Sequence, residues 1–270
     1  MTKALRAWLL PAVLLLPLAA AAQGSQGWSL EVIYVPTPHE VVDEMLRVAG
    51  VKQGDVLYDL GSGDGRIPIA AAKKFGIRAT GIDIDPERIQ EAEQNARAAG
   101  VTALVQFRRE DLFKADFRDA TVVTLYLLPD LNARLRPRLW AELKPGTRIV
   151  SHSFTMEDWE PDEVSSMDGR RAYFWMVPAS VMGAWQLDAA SQKSELTIDQ
   201  TFQKINGSVK LGTTLGGLRE ARLRGSAIAF SYVDAGGVRR DFTGTVNGGR
   251  MEGSFRDDKG GEGRWSATKK

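Results

Sequence analysis

The chain has 270 residues, of which 43% are hydrophobic, and it carries 35 Lys and Arg against 34 Asp and Glu. This size and apolar content predict one or two folded domains, and the balanced charge argues against a general basic surface for nucleic acid. The chain has no Cys and only two His, which excludes disulfides, thiol nucleophiles and zinc sites built on Cys or several His, so we predict no metal centre.

The N-terminus has the pattern of a secretory signal peptide. Lys3 and Arg6 precede an apolar run at 7–16, and residues 20–22 form an A-x-A cleavage site. We therefore predict a signal peptide over 1–22 and export to a bacterial periplasm. The apolar run is too short for a comfortable membrane span, and no Cys follows to accept a lipid. An uncleaved anchor is the alternative, and it would also leave the rest of the chain outside the cytoplasm.

The segment 23–180 shows the alternation of strands and helices that is typical of an α/β domain. Two prolines precede a first helix, and glycines or an Asp-Pro pair mark the ends of several later elements. We predict a Rossmann-like, doubly wound, seven-stranded sheet. Its helices are expected at 39–48, 65–75, 86–99 and 130–143, its strands at 56–60, 78–83, 104–108, 121–127 and 147–153, and its closing hairpin at 164–178.

From residue 183 onward the pattern changes to short runs in which apolar residues alternate with polar ones. Glycine-rich turns separate these runs at 216–217, 235–237, 247–249 and 259–261. Alternation of this kind with tight hairpins predicts a second, all-β domain over 183–270, built as a meander that closes into a small barrel or a sandwich.

A glycine turn follows the predicted strand 56–60. Asp59, Gly61, Gly63 and Gly65 give the pattern D-x-G-x-G-x-G, which matches the first motif of class I methyltransferases. Their ligand is S-adenosylmethionine. A dinucleotide fingerprint needs G-x-G-x-x-G, but Arg66 stands where the third glycine would be. We therefore favour S-adenosylmethionine over a dinucleotide or a ligand-free turn.

Acidic residues close the next two predicted strands. Asp83 ends the second strand, where a carboxylate can accept both ribose hydroxyls. Asp111 follows the third strand, where it can accept a hydrogen bond from the exocyclic amine of adenine while neighbours such as Leu112 enclose the ring. An ordinary solvated turn acid is the alternative for Asp111.

The loop after the fourth strand is apolar and contains Tyr126. Enzymes that methylate amides or adenine amines carry Asn or Asp followed by Pro-Pro in this loop. This chain lacks that motif, which argues against those substrates. An aromatic ring beside the methyl donor suits an amine, and we predict Tyr126 as the catalytic-site residue, with core packing as the alternative. For His152, at the end of the fifth strand, a structural role is favoured over contact with the acceptor.

Several segments together resemble the seven-strand protein-lysine methyltransferases, including the archaeal broad-specificity enzyme and the mitochondrial enzymes that modify the ATP synthase c-subunit and the adenine nucleotide translocase. They are Y-V-P-T-P at 34–38, D-L-G-S-G-D-G-R at 59–66, G-I-D-I-D-P at 81–86, D-L-F at 111–113 and L-Y-L-L-P at 125–129. The resemblance implies an S-adenosylmethionine-dependent enzyme that N-methylates a protein lysine. It also implies that residues 34–38 cover the methionine end of the cofactor, with Thr37 as the polar contact.

Two other functions stay open at this point. One is an exported nucleoside-binding protein without catalysis, which the predicted export favours. The other is a small-molecule methyltransferase, which the apolar loop at 125–129 permits. None of these readings involves a nucleic acid partner or a stable membrane span after signal cleavage.

Overall fold

The computed structural model describes residues 34–189 and 192–270. The predicted signal peptide, 1–22, lies outside the described residues. No helix in the described ranges is long and apolar enough to cross a membrane.

The N-terminal part contains four helices and one seven-stranded sheet, in the order β3-β2-β1-β4-β5-β7-β6. Strands β1 to β5 are parallel, whereas β7 runs antiparallel to both of its neighbours. This arrangement confirms the predicted Rossmann-like fold. The helices are α1 His39–Val48, α2 Arg66–Phe75, α3 Pro86–Ala99 and α4 Pro129–Glu142, and the strands are β1 Val56–Leu60, β2 Arg78–Asp83, β3 Val105–Arg109, β4 Val122–Leu125, β5 Arg148–His152, β6 Glu163–Met167 and β7 Arg170–Met176.

Local sequence signals account for where several helices begin and end. Helix α3 starts at Asp85-Pro86, where the Asp85 carboxylate accepts a hydrogen bond from the Glu87 amide at 2.8 Å. Gly100 ends α3, and Gly76 ends α2, each in the left-handed conformation that glycine adopts without a steric penalty. Helices α2, α3 and α4 each follow a parallel strand, so their N-termini lie at the carboxyl edge of the sheet.

The fourth strand is shorter than predicted. We expected it to run over 121–127, but it ends at Leu125, because Pro129 begins α4 and the intervening residues turn away from the sheet. Leu125 pairs with Leu60 on one side and with Ser151 on the other. The register thus places Tyr126 and His152 side by side at the carboxyl edge of the sheet.

The C-terminal part is a single nine-stranded antiparallel sheet, in the order β11-β10-β9-β8-β16-β15-β14-β13-β12. The Leu218 amide donates to the Gly207 carbonyl at 2.9 Å and so links the two ends of the sheet. The sheet is therefore a nearly closed barrel. Of the two all-β forms that we predicted, the barrel is correct and the sandwich is not. Its strands are β8 Gly183–Ala189, β9 Gln192–Thr201, β10 Lys204–Leu211, β11 Thr214–Gly217, β12 Arg219–Arg224, β13 Ala227–Val233, β14 Arg239–Asn247, β15 Arg250–Asp257 and β16 Glu262–Lys269.

Candidate active site

The glycine turn between β1 and α2 has a backbone that only glycine tolerates. Gly61, Gly63 and Gly65 have φ values of 83°, 51° and 78°. A Cβ atom on Gly63 would lie 2.3 Å from the Tyr34 ring, and one on Gly65 would lie 2.4 Å from the Phe107 ring. The glycines therefore let these aromatic rings pack directly against the turn, which lies at the carboxyl edge of the sheet.

Asp83, at the end of β2, braces this turn. Its Oδ2 accepts a hydrogen bond from the Gly63 amide at 2.8 Å, and its Oδ1 accepts one from the Asp85 amide at 3.0 Å. Each carboxylate oxygen has a second lone pair, so Asp83 can still accept hydroxyl groups from a ligand. The predicted ribose-binding residue thus also fixes the shape of the predicted binding turn.

Asp59 is a buried carboxylate directly beneath the turn. Its Oδ1 accepts a hydrogen bond from the Thr124 hydroxyl at 2.7 Å. Burial, together with the nearby carboxylates of Asp83 and Asp64, raises the pKa of Asp59 to about 8. Asp59 is therefore mostly protonated near neutral pH, and Asp64 is paired with Arg66 at 2.6 Å, so Asp83 is the remaining charged acid of the three. A carboxylate at this position fits S-adenosylmethionine, which carries ribose hydroxyls and a positive charge.

The predicted adenine-binding residues lie beside Asp83. The Glu110 amide donates to the Asp83 carbonyl at 3.0 Å, so the loop after β3 leaves the sheet next to the end of β2. Asp111 Oδ1 accepts from the Phe113 amide at 2.9 Å, and this bond stabilises the turn. Leu112 is half-buried against the apolar cluster on one face of the sheet. Asp111 therefore has a turn-stabilising role, and its placement remains compatible with the predicted one.

Thr37 joins the segment before α1 to the far side of the site. Its side chain is buried, and its Oγ1 lies 3.2 Å from His152 Nδ1. Its carbonyl accepts a hydrogen bond from Arg66 Nη1 at 2.8 Å. Arg66 in turn pairs with Asp64 at 2.6 Å. These contacts hold Thr37 at the carboxyl edge of the sheet, beside the glycine turn, and the role of residues 34–38 as a cover for the cofactor stays a prediction.

Tyr126 lies among aromatic rings at the same edge. Its ring centroid is 4.1 Å from that of His152 and 6.1 Å from that of Phe154. His152 is 3% exposed, and its Nε2 has no hydrogen-bond partner within the described part of the chain. Burial, with a smaller effect of Arg170, lowers the pKa of His152 to about 4, so the ring is neutral at physiological pH.

The structure therefore brings the predicted site residues to one edge of the sheet, and it adds two contributors that were not among them. Tyr34 lies over Gly63, and its hydroxyl accepts from the Asp64 amide at 3.3 Å. Arg66 donates to the Thr37 carbonyl. His152, for which we favoured a structural role, has Nδ1 beside Thr37 Oγ1 and no partner for Nε2 within the described residues. The only available signals were the Tyr in the 34–38 segment and the edge position of His152.

The family model described as the ANTKMT methyltransferase domain matches residues 59–163. The protein-lysine N-methyltransferase of Saccharolobus islandicus is 49% identical over 136 residues, which cover 50% of this chain and 84% of that protein. The adenine nucleotide translocase lysine N-methyltransferase of Mus musculus is 36% identical over 152 residues, covering 56% of this chain and 66% of that protein.

A crystal structure described as an RNA methyltransferase from Salinibacter ruber in complex with S-adenosyl-L-homocysteine also matches, with a TM-score of 0.54 and 54% identity. The match covers 54% of this chain and 96% of that one. Fold, site and this likeness together define a class I, S-adenosylmethionine-dependent methyltransferase. The chain belongs to the methyltransferase family that includes the archaeal protein-lysine N-methyltransferase.

Proposed function

We propose that this enzyme N-methylates the side-chain amine of lysine in a protein substrate. The observation that carries the proposal is the wall formed by Tyr126, His152 and Phe154 at the edge that also holds the glycine turn. It presents aromatic faces and one buried nitrogen without a partner in the described residues, and the sequence at 125–129 lacks the Asn or Asp before Pro-Pro that amide-methylating enzymes carry. The names of the archaeal and mouse relatives support the same substrate class.

The residues of the wall suit a neutral amine. When bound, S-adenosylmethionine would supply a methyl group that an amine lone pair attacks in line, with S-adenosylhomocysteine as the leaving group. A lysine amine has a reference pKa of about 10.4, and desolvation among apolar rings favours its uncharged form. Tyr126 and Phe154 provide this surface and exclude water.

We assign His152 the role of orienting the amine rather than deprotonating it. Its imidazole is neutral, and its low pKa makes it a poor proton acceptor. The tautomer protonated at Nδ1 would donate to Thr37 Oγ1 and leave the Nε2 lone pair as a hydrogen-bond acceptor for the amine. The proton released from the amine then passes to solvent.

We further propose that the enzyme acts outside the cytoplasm, as a periplasmic protein. The support is the sequence of residues 1–22, which carries the pattern of a cleavable signal. Mass spectrometry of the protein recovered from the periplasm tests this proposal. A mature N-terminus at Gln23 is expected, and an intact N-terminus in a cytoplasmic fraction would contradict it.

RNA methylation is the second candidate, because the Salinibacter ruber structure that matches this chain is described as an RNA methyltransferase. The near balance of 35 basic and 34 acidic residues gives this candidate little electrostatic support.

Label transfer distinguishes the candidates. Periplasmic extract and total RNA are each incubated with the purified enzyme and methyl-labelled S-adenosylmethionine, and the label is then sorted by protease and nuclease treatment. We expect label in protein that appears as methyllysine after acid hydrolysis. Label in RNA would replace the proposal with the second candidate, and label confined to small molecules would reject both.

A further inference from the structure

The turn between β9 and β10 has an unusual residue at its first position. The turn consists of Phe202 and Gln203, and Phe202 has a φ of 53°. This left-handed conformation favours glycine and asparagine, and a bulky aromatic residue adopts it at an energetic cost. The Phe202 ring is nevertheless buried, at 8% exposure. The packing of this ring therefore outweighs the backbone strain.

Both turn residues bind the N-terminal part of the protein. The Phe202 ring stacks on Trp159, with centroids 5.2 Å apart and planes 7° from parallel, and it lies 5.0 Å from Trp140 of α4. Gln203 accepts a hydrogen bond from Trp159 Nε1 at 3.0 Å and donates one to the Glu160 carbonyl at 2.7 Å. Phe202 thus stacks on Trp159, and Gln203 forms hydrogen bonds with Trp159 and Glu160.

Trp159 belongs to the loop 153–160, which begins directly after His152. Phe154 in this loop stacks against Tyr126 at the active site. We call residues 153–160 the acceptor loop. Its two ends thus contact different parts of the molecule, the aromatic wall of the site at one end and the barrel turn at the other.

Helix α4 supports the middle of the acceptor loop. Asn132 Nδ2 lies 3.4 Å from the Phe154 carbonyl and 3.2 Å from the Thr155 carbonyl, and Arg136 donates to the Met156 carbonyl at 2.9 Å. Met156 and Trp159 are fully buried. A shift of Trp159 would therefore be transmitted along a short, packed segment to Phe154.

We propose that the Phe202–Gln203 turn is a positioning element for the methyl acceptor, because by fixing the acceptor loop it fixes the Phe154 wall of the acceptor site. The inference rests on the proposed function and assigns the barrel a part in it. The family model ends at residue 163, so these turn residues lie outside the segment that it describes. The role is one of positioning, since neither residue lies in the aromatic wall itself.

Two variants of the full chain test the proposal. Phe202→Gly removes the ring and accepts the left-handed backbone, and Gln203→Ala removes the two hydrogen bonds from a part-exposed position. Leu215→Ala is the control, because Leu215 lies on the same sheet and is 68% exposed. Thermal unfolding identifies a variant that does not fold.

Three readouts separate positioning from simple stability. Amide hydrogen exchange is compared for 153–160 and for the glycine turn 61–65, S-adenosylhomocysteine affinity is measured by calorimetry, and KM is measured with periplasmic protein extract as acceptor. We expect exchange in 153–160 to quicken by about tenfold, KM to rise by roughly fivefold, and the affinity to change by less than about twofold.

Unchanged exchange in 153–160, or an equal increase in the glycine turn, would overturn the inference. Labelled lysine with wild-type enzyme but an unchanged KM in both variants would also overturn it while leaving the proposed function standing. No labelled lysine with the wild-type enzyme would overturn the proposed function, and with it the acceptor role of the turn.

Discussion

The carboxyl edge of the seven-stranded sheet and the interior of the nine-stranded barrel differ in what they bury: the edge buries polar groups, and the barrel interior buries aromatic rings. The edge buries the Asp59 carboxylate and the side chains of Ser62, Asn132 and His152, and one atom in each of the last three lacks a hydrogen-bond partner within the described residues. The other two such atoms in the described part of the chain are the Nε atoms of Arg108 and Arg240. Buried polar atoms without partners are unfavourable, so three of them at one edge favour a ligand site there.

The barrel interior is instead filled with closely packed aromatic rings. Phe242 lies 4.8 Å from Phe230 and 5.7 Å from both Phe255 and Trp265, measured between ring centroids. This is the packing of a structural core. The candidate catalytic residues lie on the seven-stranded sheet instead. The comparison predicts that mutations in the aromatic core of the barrel change stability, whereas mutations at the edge change ligand binding and transfer.

The largest effect should come from the barrel core. Phe242→Ala removes a ring that is 1% exposed, and we expect it to lower the free energy of unfolding by about 3–5 kcal/mol. Denaturant unfolding measures the loss. The affinity of the folded fraction for S-adenosylhomocysteine should stay unchanged, and a parallel loss of affinity would mean that the two regions are not separable in this way.

At the carboxyl edge, Asp83→Ala should weaken cofactor binding by about 1–3 kcal/mol. The substitution removes the acceptor for the ribose hydroxyls and also the hydrogen bond from the Gly63 amide. Calorimetry with S-adenosylhomocysteine measures the effect. Asp241→Ala, on the exposed surface of β14, is the matched control. An unchanged dissociation constant for Asp83→Ala would remove this residue from the site.

Tyr126→Ala should reduce kcat/KM for methyl transfer by about tenfold or more while cofactor affinity changes little, because the ring lines the acceptor side. Tyr126→Phe keeps the ring contacts with His152 and Phe154 and should retain most of the activity. Steady-state transfer rates and calorimetry provide the two measurements. Equal losses in transfer and in cofactor affinity would reassign Tyr126 to packing.

Asp59 should change the pH dependence of stability. The pKa of Asp59 is about 8 in the folded protein and close to 3.8 when unfolded, so folding favours its protonated form. Its contribution to stability is fully present below about pH 4 and is lost as the pH rises through 8. Asp59→Asn still accepts the Thr124 hydrogen bond but does not titrate.

The melting temperature of Asp59→Asn, relative to wild type, should therefore rise between pH 4 and pH 8 and then level off. Thermal scans across this range check the prediction. Identical pH profiles for the two proteins would show that Asp59 does not change its protonation state on folding.

Sequence patterns predicted those parts of this molecule that depend on local chemistry. The positive φ of Gly61, Gly63 and Gly65 follows from their spacing after a strand, and Asp83 follows from its position at the end of the next one. The hairpin turn at Asp168-Gly169 was also recognisable, because both residues tolerate the left-handed backbone that they adopt there.

Contacts between distant segments were not predictable in this way. Thr37 and His152 are separated by 115 positions, and no local pattern relates them. The Phe202–Gln203 turn carries no glycine or asparagine, so it gives no turn signal, and tertiary packing imposes its conformation. The link between the barrel and the acceptor loop therefore became visible only in three dimensions.

A crystal structure of the enzyme with S-adenosylhomocysteine tests the central claim most directly. The account predicts the ribose at the Asp83 carboxylate, the adenine beside Asp111 and Leu112, and the sulfur directed toward Tyr126 and His152. A ligand bound away from the glycine turn, or with its sulfur directed away from these rings, would contradict the account.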